Sequence, residues 1–194
     1  MTNETGGDGV ILGMHNGLMA GIRLTEPVSG AEDHDAAEVF RQLSSRHIVA
    51  AYRLALAILG DQLEAEDASQ DAFTSAWRQR ASLRDADKFE AWFTRILVNV
   101  CRDRLRRKTR ARHIVNEMAP EPVADPARAA LDRDALGRAL SALEPDMRIV
   151  VILRFWMDLT VDDIAERLGI PAGTVKSRLH SSMRQLRPAV EELG

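Results

Sequence analysis

The residues best placed for chemistry in this sequence bind rather than react. Lys176, His180 and Arg184 recur at intervals of four, with Ser177 and Ser181 beside them. On a helix that spacing sets them on one side. From Ala172 to Arg187 there are four basic residues (Lys176, Arg178, Arg184, Arg187) and no acid. A basic, small-polar face of this kind suits the major groove of DNA. The plainer alternative is a helical hairpin whose cationic face is simply solvated.

The neighbouring residues supply the scaffold that such a face needs. Val175, Leu179, Met183 and Leu186 follow at four, four and three, which predicts a buried stripe on the same helix. Upstream, Thr160 is a natural N-cap, Asp162 and Asp163 set negative charge in a first turn, and Thr160-x-x-Asp163 is a weak capping box. Ile164, Ala165 and Leu168 give that helix its apolar side. Gly169 then suits a left-handed helix end, and Pro171 suits the start of the next helix. The stretch Leu159 to Arg187 therefore reads as a helix-turn-helix.

The composition sets wide limits. With 194 residues, 45% hydrophobic and 28% charged, the chain is an ordinary globular sequence with room for one large or two small domains. Its low aromatic content and long periodic stretches point to an all-α fold. One cysteine excludes an internal disulfide and a cysteine-rich zinc site, which fits a reducing cytoplasm. No apolar run approaches the length of a membrane span, so no direct membrane insertion is expected. No ATP-binding glycine loop, metal cluster or nucleophile–base pair stands out. No catalytic residue, metal site or cofactor is therefore expected, and the chain is not expected to be an enzyme. A net charge of −3 says little, because the charges are segregated along the chain.

Residues 1–34 are rich in glycine and polar residues and predict a disordered or flexible N-terminal tail. Helical periodicity runs from about Asp35 to Leu59 through Val39, Phe40, Leu43, Ile48, Tyr52, Ala55 and Leu56, and Gly60-Asp61 ends it. Between Asp61 and Asp71 there are five acids and no base. Ala72, Phe73, Ala76 and Trp77 carry the apolar side onward, leaving Asp67, Gln70, Asp71 and Thr74 on the other. That polar side is either a solvated face or a docking surface for a basic partner. Gln79 to Lys88 reads as a loop. A long amphipathic helix follows, about Phe89 to Lys108, with Phe89, Trp92, Phe93, Ile96, Leu97, Val100, Cys101 and Leu105 on its apolar stripe. Cys101 on that stripe is expected to be a core residue rather than a redox one. Arg95, Asn99, Arg102 and Arg106 share the opposite side. Past Cys101 come Arg102, Arg104, Arg106, Arg107, Lys108, Arg110 and Arg112 against Asp103 alone, a density that favours contact with phosphates.

Residues 114–132, interrupted by Pro120, Pro122 and Pro126, predict a linker with a root-mean-square span of roughly 25 Å. Leu136, Ala139, Leu140 and Leu143 then predict a helix that stops near Glu144. Pro145 can open another, packed through Ile149, Val150, Ile152, Leu153 and Trp156, with Arg148 and Arg154 outside that stripe.

Three motifs in this order resemble the bacterial RNA polymerase sigma factors of the extracytoplasmic-function type, within the sigma-70 family. EDASQDAFTSAW is similar to the family's polymerase-binding helix. KFEAWFTRILVNVCRDRLRR is similar to its promoter-melting helix. LEPDMRIVVILRFWMDLTVDDIAERLGIPAGTVKSRL is similar to its C-terminal domain. The resemblance implies two small helical domains: a region 2-like domain over residues 35–113, which binds core polymerase and recognises and melts the −10 element, and a region 4-like domain over 133–194, which reads the −35 element. It implies that Asp67, Gln70, Asp71, Phe73 and Trp77 grip the clamp helices of the polymerase's largest subunit, and that the flap of the second-largest subunit is a further contact. It also implies that Asn99, Arg102, Arg106 and Arg107 contact DNA at the −10 region. Pro171, Gly173, Thr174, Lys176, Ser177, His180 and Ser181 would do so at the −35 region. The partners so implied are core RNA polymerase, promoter DNA and an anti-sigma factor that covers both domains.

Two other functions fit parts of the same residues. A free-standing helix-turn-helix regulator would bind an operator without polymerase, but it has no use for the acidic helix around Asp67 to Trp77. An adaptor that binds only protein would leave both basic faces solvated.

Overall fold

The computed structural model describes residues 31–116 and 135–191, all of it helix, turn or short connection, with no strand among the described residues. Residues 1–30 of the expected tail and 117–132 of the expected linker lie outside the described residues.

Seven α-helices are described: α1 (Ala31–Leu59), α2 (Gln62–Arg78), α3 (Phe89–Asn116), α4 (Ala135–Ala142), α5 (Pro145–Phe155), α6 (Val161–Leu168) and α7 (Ala172–Glu191). Their ends follow local chemistry. α1 stops at Gly60, whose φ of +71° is open to glycine without strain, and the Gly60 amide donates to the Leu56 carbonyl at 2.8 Å. Asp61 caps α2 by accepting from the Glu64 amide at 3.0 Å. The segment from Gln79 to Lys88, expected as a loop, contains two 3₁₀ turns, Arg80–Ser82 and Ala86–Lys88, the second capped by Asp85. α3 runs on through Asn116, so residues 114–116 of the expected linker are helical.

α2 packs through alanines. Ala65, Ala68, Ala72 and Ala76 are fully buried, and their small side chains let the helix lie close to its neighbours. Phe73 is fully buried too and stacks on Phe93 of α3, with ring centroids 4.4 Å apart. Phe40 of α1 meets Trp77 edge-on at 5.3 Å. Each such ring contributes about 2–3 kcal/mol through removal of apolar surface from water. The same core continues without a break into Ile149, Val150, Ile152 and Leu153 of α5, Ile164 and Leu168 of α6, and Val175 of α7. A smaller cluster of Leu143, Val151 and Leu186 joins the start of α5 to α7.

Some packing assignments change. Trp156 is 60% exposed rather than packed, because α5 ends at Phe155 and the chain turns away. Arg148 is buried, not outside the stripe; it sits on the side of α5 that meets the ends of α1 and α4. On α7 the buried line runs through Val175, Ser182 and Leu186, and Met183 is 41% exposed. Ser182 can be buried because its hydroxyl donates to the Arg178 carbonyl at 2.7 Å, and its small size allows close helix contact. Val39 is likewise exposed although it belongs to the apolar pattern of α1.

Candidate nucleic-acid interface

The helix-turn-helix is built as its local signals direct. Thr160 accepts from the Asp163 amide at 3.1 Å, while Asp163 accepts from the Thr160 amide at 3.0 Å, closing a reciprocal capping box. The Asp163 carboxyl is held below its ordinary range by the Thr160 hydroxyl first, and by the Thr160 backbone amide after it. Gly169 ends α6 with φ +64°, and Pro171 leads into α7, its carbonyl accepting from the Thr174 amide at 2.9 Å.

On α7, Lys176, Ser177 and His180 are exposed and Ser181 is half-buried. Pro171 and Gly173 are exposed and Thr174 is half-buried at the start of the helix. A helix start of this kind presents free backbone N–H groups and the positive end of the dipole, a natural seat for a phosphate. The Ser177 hydroxyl donates to the Thr174 carbonyl at 3.0 Å, which leaves its lone pairs outward. These residues form one open surface. Arg178, counted among the basic residues of this helix, points elsewhere: its Nη2 lies 3.0 Å from Asp146 Oδ2.

The basic side of α3 has a different setting. Asn99 is exposed, and its side-chain oxygen accepts from Arg102 Nη1 at 3.0 Å. Arg102 Nε lies 2.9 Å from Asp146 Oδ1, and Arg106 Nη2 3.2 Å from Asp146 Oδ2. Arg107 is exposed, and its Nε donates to the Asp103 carbonyl at 3.3 Å. Arg104 faces the other way and binds α2: Nη2 is 2.5 Å from Asp71 Oδ2 and Nη1 is 2.8 Å from Glu64 Oε2. Burial opposes its charge, but hydrogen bonds to Asp71 and Glu64 outweigh that and raise its pKa.

On α2, Asp67 and Asp71 are exposed and Gln70 is half-buried, so the three share an accessible side. Phe73 and Trp77 do not join them. Both are buried in the core, where they fix the position of α2. Arg80 lies over the Trp77 ring, 4.0 Å from its centroid, and the Trp92 indole donates to Ser82 Oγ at 3.1 Å. These contacts tie the 79–88 segment to α2 and α3. Cys101 is fully buried, and burial pushes its thiol up to about 12.

The sequence counts Arg104 only within the basic run expected to contact phosphates, whereas it pairs with Glu64 and Asp71, and it does not single out Asp146 at all. Arg104 could have been suspected from its offset to Arg102 and Arg106, which turns it toward another side of the helix. Asp146 gave no signal beyond an ordinary first-turn acid. Among the described residues no group of three or more histidines, cysteines or acids is placed to hold a metal ion, and no helix is long and apolar enough to cross a membrane.

Comparison with known proteins accounts for both halves of this arrangement. Residues 43–111 match the family model for sigma-70 region 2, and residues 133–186 match that for sigma-70 region 4. The chain is 36% identical to the ECF RNA polymerase sigma factor SigL of Mycobacterium tuberculosis over 173 residues, covering 86% of this chain and 97% of that protein. It is 32% identical to the RNA polymerase sigma-E factor of Streptomyces coelicolor, over 70% of this chain and 76% of that protein. Among solved structures it resembles the sigma factor RpoE bound to the anti-sigma factor NepR from Bartonella quintana, with a TM-score of 0.60, 27% identity, and coverage of 78% of this chain and 96% of that one. It also resembles CnrH bound to the cytosolic domain of CnrY, with a TM-score of 0.58, 25% identity, and coverage of 81% and 95%. With an acidic helix, a basic helix and a helix-turn-helix in the family's order, the chain belongs to the extracytoplasmic-function sigma factors of the sigma-70 family.

Proposed function

We propose that this chain binds core RNA polymerase and directs initiation from a specific set of promoters. The observation that carries this reading is that one chain presents both an accessible acidic surface, around Asp67, Gln70 and Asp71, and an accessible polar face on α7. The acidic surface suits the clamp helices of the largest polymerase subunit, and the region 4-like half suits the flap of the second-largest. Residues 35–113 act as the region 2-like unit at the −10 element, and 133–194 as the region 4-like unit at the −35 element, joined through 114–132. Asn99, Arg102, Arg106 and Arg107 contact DNA around the melted −10 region. Lys176, Ser177, His180 and Ser181 read the −35 element, with Pro171, Gly173 and Thr174 seated on its backbone. A stand-alone operator binder would have no need of the acidic surface.

An anti-sigma protein controls the chain in the cytoplasm. The likeness to two sigma factors solved with anti-sigma partners supports this part of the reading.

The test is run-off transcription with host core polymerase on fragmented genomic DNA. Discrete transcripts that require the chain are expected, and Lys176→Gln should weaken them while lowering the salt slope of promoter binding by about one. A folded chain that fails to bind core polymerase excludes the reading.

A further inference from the structure

The acidic surface of α2 is not built of free carboxylates. Glu64, Asp67 and Asp71 follow at three and four on one side of the helix, and a single guanidinium from α3 reaches all three. Arg104 Nη1 lies 2.8 Å from Glu64 Oε2 and 4.0 Å from Asp67 Oδ2, and Nη2 lies 2.5 Å from Asp71 Oδ2. The Arg104 side chain is only 17% exposed, whereas those of Asp67 and Asp71 are 68% and 59% exposed. The cation therefore lies beneath the carboxylates, and an approaching partner meets the acids first.

The charge of a guanidinium is permanent, and hydrogen bonds to Asp71 and Glu64 hold this one protonated against its burial. One of the three negative charges is thus cancelled from within. As a brace between α2 and α3 the group does little, because pairs with carboxylates this exposed add little to stability. Its effect on recognition is the larger one. A charge fixed under a docking surface acts on every encounter with a charged partner.

We propose that Arg104 is an internal competitor for the basic groups of core polymerase: it engages Glu64 and Asp71 from within and sets the affinity of the acidic surface below what its carboxylates alone would give. A basic side chain arriving from the polymerase must share these carboxylates with Arg104 or take them from it. The guanidinium bonds one oxygen of each. Sharing therefore leaves the second oxygen to the partner, at the weaker attraction of a group already partly neutralised. This rests on the reading of α2 as the polymerase-docking helix, whereas the screening of its acids is a property of the chain alone.

The experiment measures binding of the full chain to core polymerase by fluorescence anisotropy across a salt series, with a lysine-rich peptide as a second, generic basic probe. Arg104→Gln should tighten core binding about threefold at low salt, the scale of an exposed ion pair, and steepen its salt dependence. Arg104→Lys, which restores the charge, should return both toward the values of the unaltered chain. Arg46→Gln, at an exposed arginine of α1, makes the same change in net charge and should leave both unchanged. In an Asp71→Asn background the gain from Arg104→Gln should shrink, because the screen acts through that carboxylate. Unchanged or weaker core binding by folded Arg104→Gln overturns the proposal, and so does a gain no larger than that from Arg46→Gln. Arg104→Met, which keeps the apolar stem, serves if Arg104→Gln does not fold by circular dichroism. Unfolding of both overturns the proposal too, since Arg104 is then a requirement of the fold rather than a screen. A chain that binds no core polymerase at all sinks the docking reading instead, and the peptide still decides the screen. Tighter peptide binding by Arg104→Gln than by Arg46→Gln supports it, and equal binding overturns it.

Discussion

The Arg148 guanidinium bridges two helix ends that lie far apart in sequence: it donates to the Ile58 carbonyl at 2.9 Å and to the Leu140 carbonyl at 2.7 Å. Ile58 is in the last turn of α1 and Leu140 in the last turn of α4, where carbonyls lack partners further along the helix. A cation at these two negative dipole ends satisfies both oxygens at once. Arg148→Met keeps most of the apolar stem and removes both donors. It should destabilise the chain by about 1–3 kcal/mol, because the buried Ile58 carbonyl loses this donor, whereas the Leu140 carbonyl keeps the Leu143 amide at 3.3 Å. Urea unfolding followed by circular dichroism measures this; a loss within experimental scatter would show that water replaces the guanidinium.

Neutralising the acidic surface should separate binding from folding. Asp67→Asn with Asp71→Asn removes two largely exposed charges, and although Arg104 loses its partner Asp71, an exposed pair is worth only about 0–1 kcal/mol. The unfolding midpoint should therefore move little. Affinity for core polymerase should fall at least about tenfold if those carboxylates meet basic groups across the interface. Retained affinity with a normal melting curve would remove the docking role from this face.

Gly169 combines two features that would each oppose a side chain. Its φ of +64° strains any L-residue, and a Cβ would meet Arg95 Nη2 at 2.8 Å. The second is the lesser effect, since the end of an arginine can swing aside. Gly169→Ala should cost about 1 kcal/mol, mostly from the backbone. Asn, which tolerates the left-handed region better, should cost less than Ala in the same thermal unfolding series.

The capping box gives a pH dependence of known sign. Asp163 has a folded pKa lowered from its ordinary 3.8. Its contribution to stability is therefore complete above that ordinary value and is lost as pH falls through the lower folded value. Thr160→Ala removes the hydroxyl that accepts from the Asp163 amide and should cost about 1 kcal/mol near neutrality. The variant should also show a shallower loss of stability between neutral pH and strong acid, read from unfolding midpoints at each pH.

Much of the molecule was legible where the determining chemistry is local. Thr160, Asp163, Gly169 and Pro171 fixed the limits of α6 and the start of α7, because caps and left-handed turns depend on residues within a few positions. The stripe from Phe89 to Leu105 was legible because period and burial agree over several turns. What was not legible depends on partners distant in the chain. Asp146 looks like any first-turn acid until α3 and α7 are brought beside it, and Arg148 looks solvated until the ends of α1 and α4 meet it. Ser182 and Met183 are adjacent, and hydrophobicity favoured the wrong one; close helix approach and a self-satisfied hydroxyl decided for serine. Phe73 and Trp77 show the converse. A motif shared with a family does not say which of its residues lie on the surface and which lie in the core.

The buried thiol of Cys101 sets how this protein meets oxidants. Burial raises its pKa to about 12, so the reactive thiolate is disfavoured at neutral pH. Thiol-directed reagents therefore find no ready thiolate at Cys101 in the folded chain. Labelling of Cys101 by a thiol reagent thus becomes a direct clock for unfolding.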